Sequence, residues 1–261
     1  MYSKIPPTAE LGVSEAEVLA DVLYEVGKDL AAKKDHTLAV KWLNRAYEAL
    51  ESQSLEILSR EATELQLAIM QSLVRTYLEL KTDEGRQNAE RIVRYLASEL
   101  GDKPVVLLLE LELLGSPEDE TFDTTAYGHV LRRMIRVFSP SDSYFKVVIS
   151  HIRKLHGKNP RHACKLLDEF LPTLCLSGHE DWVEKAVVHR VWMAQESDDP
   201  ELVDEAGRVF SQLQQPLGAD ATMAALAVRK QPHTPFLPLS LWSEKIAELL
   251  LAHMEESGNW L

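Results

Sequence analysis

The feature that most constrains this chain is the placement of two small residues among large ones. Gly27 and Ala39 lie in a run where Leu23, Val26, Leu30, Leu43 and Ala46 occupy the surrounding apolar positions. Two antiparallel helices approach closely only where bulk is missing, and Leu23, Leu30 and Leu43 fill the space beside the gap. The run therefore reads as a helical hairpin with a tight crossing at Gly27 and Ala39. That is the design of a scaffold rather than a catalyst.

The order of large and small residues over 23–46 matches the template of a tetratricopeptide (TPR) helix pair, except that Glu51 stands where the closing proline usually sits. Ser14 and Glu17 have capping-box spacing, and Val18, Val22, Val26 and Leu30 recur as a helical stripe, which predicts a first helix over about 15–33. Lys33-Lys34-Asp35-His36 is a polar turn. A second stripe of Ala39, Leu43, Ala46 and Leu50 completes the hairpin, with Trp42 beside it, and the unit spans 15–55.

A second, degenerate pair is predicted over 62–101, from helices near 65–80 and 87–100, with Gly101 placed as a left-handed C-cap. Aligning Ala89 with Ala39 sets a spacing of 50 residues, longer than the roughly 34 of the standard repeat. Tyr77 then replaces the small residue of the crossing. Further helices are expected at 105–114, 124–138, 142–156, 161–176, 180–196 and from Pro200 to about 214. An acidic loop begins at Gly115, and Gly157-Lys-Asn-Pro160 is a turn whose proline suits a helix start. Gln231-Pro-His-Thr-Pro-Phe-Leu-Pro238 breaks regular structure, because prolines deny backbone donors, and a terminal helix is expected over 239–256. No stretch reads as a strand. The predicted class is all-α, a TPR-like α-solenoid of antiparallel helix hairpins forming a single array over 1–261.

The 261 residues are 45% hydrophobic and 26% charged, a globular balance that excludes wholesale disorder. No apolar run is long enough for a membrane span, and the first residues lack a signal-peptide pattern, so a soluble intracellular protein is expected. Cys164 and Cys175 are too few for a disulfide framework or a zinc finger and read as reduced thiols. The formal charge of −13 argues against direct nucleic-acid binding. One block departs from it: residues 131–165 hold nine Lys or Arg and a single acid, Asp142.

In a TPR pair the first helix lines the groove, which nominates Asp21, Tyr24 and Lys28, and in the second pair Gln71, Val74 and Leu78. For these residues the alternatives are solvent exposure or, for Val74 and Leu78, core packing. The basic block nominates Arg132, Arg133, Arg136, Arg153, Lys154, Lys158, Arg161 and Lys165 as a patch for phosphates or an acidic segment. Its alternatives are pairing with the chain's own acids or simply a solvated face. His151, His156, His162, Cys164, Cys175 and His179 match no metal-ligand spacing. Nucleophile elbow and phosphate-loop signatures are both absent from the sequence. No catalytic, cofactor or metal site is assigned. Of the five tryptophans, Trp42 reads as packing between repeats, whereas Trp260 is a candidate interface anchor.

The run Ala39-Val-Lys-Trp42-Leu43-Asn-Arg-Ala46-Tyr-Glu-Ala-Leu50-Glu51, preceded by Gly27-Lys-Asp-Leu30, resembles the fungal sporulation and synapsis-initiation proteins. These are the ZIP-four homologues, related to the testis-expressed TPR proteins of animals. Leu73-Val-Arg-Thr-Tyr77-Leu-Glu-Leu80 and Val105-Val-Leu-Leu-Leu-Glu-Leu-Glu-Leu113 fit the same pattern, and the likeness runs to about residue 113. The resemblance implies a meiosis-specific scaffold in the nucleus, on chromosomes, that gathers chromosome-axis and crossover factors. It would thereby promote crossover formation and synaptonemal complex assembly. A general TPR adaptor without a meiotic role, and an α-helical enzyme or enzyme regulator with a cryptic site, are the other readings.

Overall fold

The computed structural model describes residues 12–53, 58–115, 122–197 and 199–212. The proline-rich break, the terminal helix, Trp242, Trp260 and most of the acidic loop after Gly115 lie outside the described residues. Every regular element described is an α-helix, and neighbouring helices pack on one another in chain order within each of two compact units, Met1–Phe122 and Asp123–Leu261. The fold is thus an array of helix hairpins.

In the first unit, α1 (Val13–Ala32) and α2 (His36–Glu51) form the expected hairpin. A Cβ added at Gly27 would lie 2.7 Å from Leu43 Cγ and 3.3 Å from the Leu43 backbone nitrogen, so the crossing depends on that glycine. Ala39, Leu43 and Ala46 are fully buried. The start of α1 differs from the expected capping box. Its N-cap is Gly12, whose N–H donates to Glu15, while the Glu17 carboxylate accepts from the Ser59 N–H at 2.8 Å. Glu17 therefore ties α1 to the beginning of α3.

Helices α3 (Arg60–Glu79) and α4 (Asp83–Leu100) form the second hairpin, and both start earlier than expected. Ser59 and Thr82 cap them by accepting from Ala62 and Gly85 N–H groups, and Glu61, Asp83 and Glu84 favour the positive ends of their dipoles. The two hairpins use the same three-residue turn, in which Lys34 or Lys81 takes a positive φ before the Asp35 or Thr82 cap. Measured from these caps, Ala39 and Ala89 are not equivalent. The close approach in the second hairpin falls at Gly85, where an added Cβ would lie 2.7 Å from the Tyr77 carbonyl oxygen. Tyr77 accommodates its bulk by turning its hydroxyl to the Asn44 side-chain amide of α2, at 3.0 Å. Gly101 ends α4 at φ +62° and ψ −142°, a positive φ open to glycine but not the left-handed helical cap expected.

Helix α5 (Pro104–Leu114) completes the unit, with Val106, Leu107, Leu109 and Leu111 all buried. Two apolar clusters result. Ala20, Leu23, Leu43, Leu50, Ile69 and Leu73 join α1, α2 and α3, while Met70, Val74, Val93, Leu96 and Leu109 join α3, α4 and α5. Adjacent residues on α3 point into different clusters because each residue turns the helix by about 100°. One helix thereby belongs to two successive layers, the principle of a stacked array.

In the second unit α6 (Thr124–Arg136), α7 (Asp142–His156), α8 (Pro160–Leu176), α9 (Glu180–Glu196) and α10 (Pro200–Gln212) follow the expected positions closely. Asp123, Ser141 and Asn159 cap the first three. Its core is aromatic: Phe145 stacks on Trp182 with ring centroids 5.4 Å apart, and Phe138 meets Phe170 edge-on at 5.0 Å. Gly128 lets α8 approach α6, since an added Cβ there would fall on the His162 ring.

Candidate functional site

The first helices of the hairpins, α1, α3 and then α5, pack in a row, and the residues nominated for a groove sit along it. Asp21 and Lys28 are exposed and Tyr24 is half-buried. Lys28 Nζ is 5.3 Å from the Tyr24 ring centroid and 2.7 Å from Glu25, whose carboxylate raises the Lys28 ammonium above its usual range. On α3, Gln71 and Leu78 are half-buried. Val74 is not a groove residue. It is fully buried in the cluster with Val93 and Leu96, because its side of α3 is the one that faces α4 and α5.

The exposed position next to it is Arg75, which sequence reasoning passed over. Its guanidinium holds the Glu112 carboxylate of α5 through paired contacts of 3.0 Å, and the Tyr24 hydroxyl is close enough to act on it electrostatically. The hydrogen bond to Glu112 raises the Arg75 pKa further. Tyr24 with Lys28 of α1, Arg75 of α3 and Glu112 of α5 are thereby linked across three helices, Gln71 lies one turn before Arg75, and Leu78 packs against the cluster around Val74. The signal available in the sequence was the spacing of four from Gln71 to Arg75 and of three from Arg75 to Leu78, one helical face.

The basic block is held differently. Arg132 binds Glu169 of α8 at 2.6 Å, and Arg161 binds Asp199 just before α10 and Glu201 in its first turn at 2.8 and 2.7 Å. Arg153 stacks over the Trp192 ring at 5.3 Å. Arg136, Lys158 and Lys165 are exposed, as are Lys154 and Arg153, while Arg133 is half-buried. Arg132 and Lys165 act on His162, whereas Arg153 acts on His189. The cations thus gather around different partners, with Arg132 joining α6 to α8 and Arg161 joining α8 to α10.

A family model described as "Meiosis protein SPO22/ZIP4 like" matches residues 1–228. The chain belongs to the SPO22/ZIP4-like family of meiosis proteins. The match extends well past the resemblance seen to about residue 113 and takes in helices of both units. No curated protein and no solved structure matches the chain.

SPO22/ZIP4-like proteins are a meiosis family and not a known enzyme family. In this member His151, His156 and His179 make contacts within the helical unit, and Cys164 is buried. His156 is buried, with Nε2 2.9 Å from the Met193 carbonyl oxygen, His179 stacks on Trp182, and the His151 ring meets the Tyr127 hydroxyl. Burial pushes the Cys164 thiol up to about 11, which leaves it protonated and unreactive at neutral pH. Among the described residues no cluster of His, Cys, Asp or Glu is arranged to hold a metal ion, and no helix is long and apolar enough to cross a membrane.

One buried charge was not foreseen. Arg190 of α9 is fully buried, its Nε and Nη2 donating to Asp168 of α8 at 2.8 and 3.1 Å, while Nη1 has no hydrogen-bond partner. Burial raises the Asp168 carboxyl pKa and the Arg190 hydrogen bond opposes the rise. Neither residue stands out in the sequence, since Asp168 and Arg190 are 22 positions apart and on different helices.

Proposed function

We propose that this member of the SPO22/ZIP4-like family is a TPR-type protein-binding scaffold in meiotic recombination, acting in the nucleus on chromosomes. It gathers chromosome-axis and crossover factors and so promotes crossover formation and synaptonemal complex assembly. The observation that carries the reading is the surface shared by α1, α3 and α5 in a chain of a meiosis family. Tyr24 and Lys28 are anchored there by contacts within α1, and Arg75 by Glu112. A surface held in place before binding loses little conformational entropy on capturing a partner segment.

Presentation of side chains, not chemistry, is the proposed mechanism. Direct nucleic-acid binding is not part of it, in keeping with the net charge of −13 and the ion pairs of Arg132 and Arg161. The test is affinity purification of the tagged chain from meiotic cells with a vegetative control. Axis and crossover proteins are expected only in meiosis, and Tyr24→Ala with Lys28→Glu should deplete them. Recovery of the same general cytosolic proteins in both samples would replace the reading with a general adaptor.

A further inference from the structure

Helix α1 is apolar on two sides, and among the described residues its helix partners cover only one. Ala16, Ala20, Leu23 and Gly27 face the interior, whereas Val18, Val22 and Val26 are 64%, 56% and 37% exposed. These valines recur every fourth residue and form a stripe along the outer side of the helix. Beside them Ser14, Glu15, Val18, Leu19 and Val22 are the described walls of a shallow groove. The stripe is distinct from the Tyr24–Arg75 surface, since Tyr24 packs toward the α1–α3 cluster.

The charges around the stripe decide what fits it. Glu15, Asp21, Glu25 and Asp29 are exposed on α1, and the single base of the helix, Lys28, is already paired with Glu25. A second copy of the chain docked by the same stripe would bring like charges together. An antiparallel two-fold centred on Val22 sets Glu15 opposite Asp29, and a parallel one sets each acid opposite itself, which opposes association.

We propose that the outer face of α1 docks an amphipathic helix of another protein, with an apolar stripe at three- and four-residue spacing and Lys or Arg on its flanks. This deepens the protein-scaffold reading, because it adds a second face with its own partner chemistry. Val18 and Val22 would insert between the apolar residues of the incoming helix, and the acidic rim would select its basic flanks.

Calorimetric titration of the full chain with a designed amphipathic peptide tests it. The peptide is about 20 residues, matching the length of α1, with leucines on one face and lysines beside them. Saturable binding that weakens with salt, and that disappears when the lysines become glutamates, is the expected result. The double substitution Val18→Lys with Val22→Lys should weaken it by roughly tenfold or more while leaving the circular dichroism spectrum unchanged, since both side chains are exposed in the free chain. Tyr24→Ala should leave peptide binding intact, which separates failure here from failure of the groove.

Absence of binding by the basic peptide would overturn the proposal. So would equal binding of both peptides. A concentration-dependent dimer abolished by Val22→Lys would assign the face to a second copy instead. Valine methyl resonances of the stripe that respond to deletion of residues 1–11 or 213–261 but not to the peptide would assign it to the chain's own segments.

Discussion

Gly27→Ala adds one methyl group at the α1–α2 crossing, and its cost is set by two opposing effects. Alanine is the better helix former by about 1 kcal/mol, so the substitution would stabilise an uncrowded helix. Here the new Cβ would sit 2.7 and 2.8 Å from Leu43 Cγ and Cδ2, and 3.3 Å from the Leu43 backbone nitrogen. Leu43 is fully buried and cannot swing into solvent, so the helices must separate, and overpacking of this kind costs about 1–3 kcal/mol. The expected net effect is a loss of roughly 1 kcal/mol, rising toward 3 for Gly27→Leu. Because the chain forms two compact units, a whole-chain melt mixes their transitions. Hydrogen exchange of α1 and α2 amides isolates the right one. Leu43→Ala alone should cost about 2–5 kcal/mol, and the double variant should cost less than the sum, because removing Leu43 opens the space the new methyl needs. Gly157→Ala is the control. Its Cβ would meet only the Lys154 carbonyl oxygen at 3.7 Å, so stability should hold within about 0.5 kcal/mol. Equal or slower exchange in Gly27→Ala, or strict additivity with Leu43→Ala, would refute the close-approach account of this hairpin.

Three further outcomes are expected. Gly128→Ala should displace the His162 ring rather than break the α6–α8 contact, because that imidazole is only partly buried; an NMR titration should then show its pKa moving up toward 6.5. Arg190→Ala should destabilise the second unit by about 3 kcal/mol or more, read by urea denaturation, because Asp168 loses its partner in a mostly buried site, whereas Arg190→Met with Asp168→Leu should regain much of that loss. Burial first, then Arg132 beside His162 and Arg153 beside His189, hold both imidazoles below 6.5. The unfolded chain then takes up protons before the folded one, so this contribution to stability is full above about pH 6.5 and is lost as pH falls through the folded values. The urea midpoint of the second unit should drop between about pH 7.5 and 5, and His162→Gln with His189→Gln should flatten that slope.

The helical class was legible because apolar periodicity and caps are local. Gly27 with Ala39, Asp35 before α2, Pro160 and Pro200 at helix starts and Gly101 at a helix end each act through the next few residues, and each is where the sequence places it. Missed boundaries had local signals too, in Ser59 and Thr82 followed by acids. The second hairpin was misregistered for another reason. Aligning alanines assumed that the small residue of a crossing keeps its place, yet in the second hairpin the helices meet nearer the turn, where Gly85 lies against the Tyr77 carbonyl.

Which side of a helix is buried was not legible from composition. Val18, Val22 and Val26 make the more hydrophobic stripe of α1, but the interior takes Ala16, Ala20 and Gly27, since a crossing at close range rewards small residues over large ones. The same limit applies to Val74 and Arg75, neighbours in sequence whose roles of core and surface depend on where α4 and α5 lie. Arg190 and Asp168, or Arg75 and Glu112, are unremarkable apart and meaningful only together. The chain by itself determined its helices, their caps and its family, because those are written in short-range pattern. The tertiary structure alone decided which faces are buried and which charges meet, because those depend on residues brought together from beyond the reach of local pattern, 22 positions for Asp168 and Arg190 and 40 for Arg161 and Glu201.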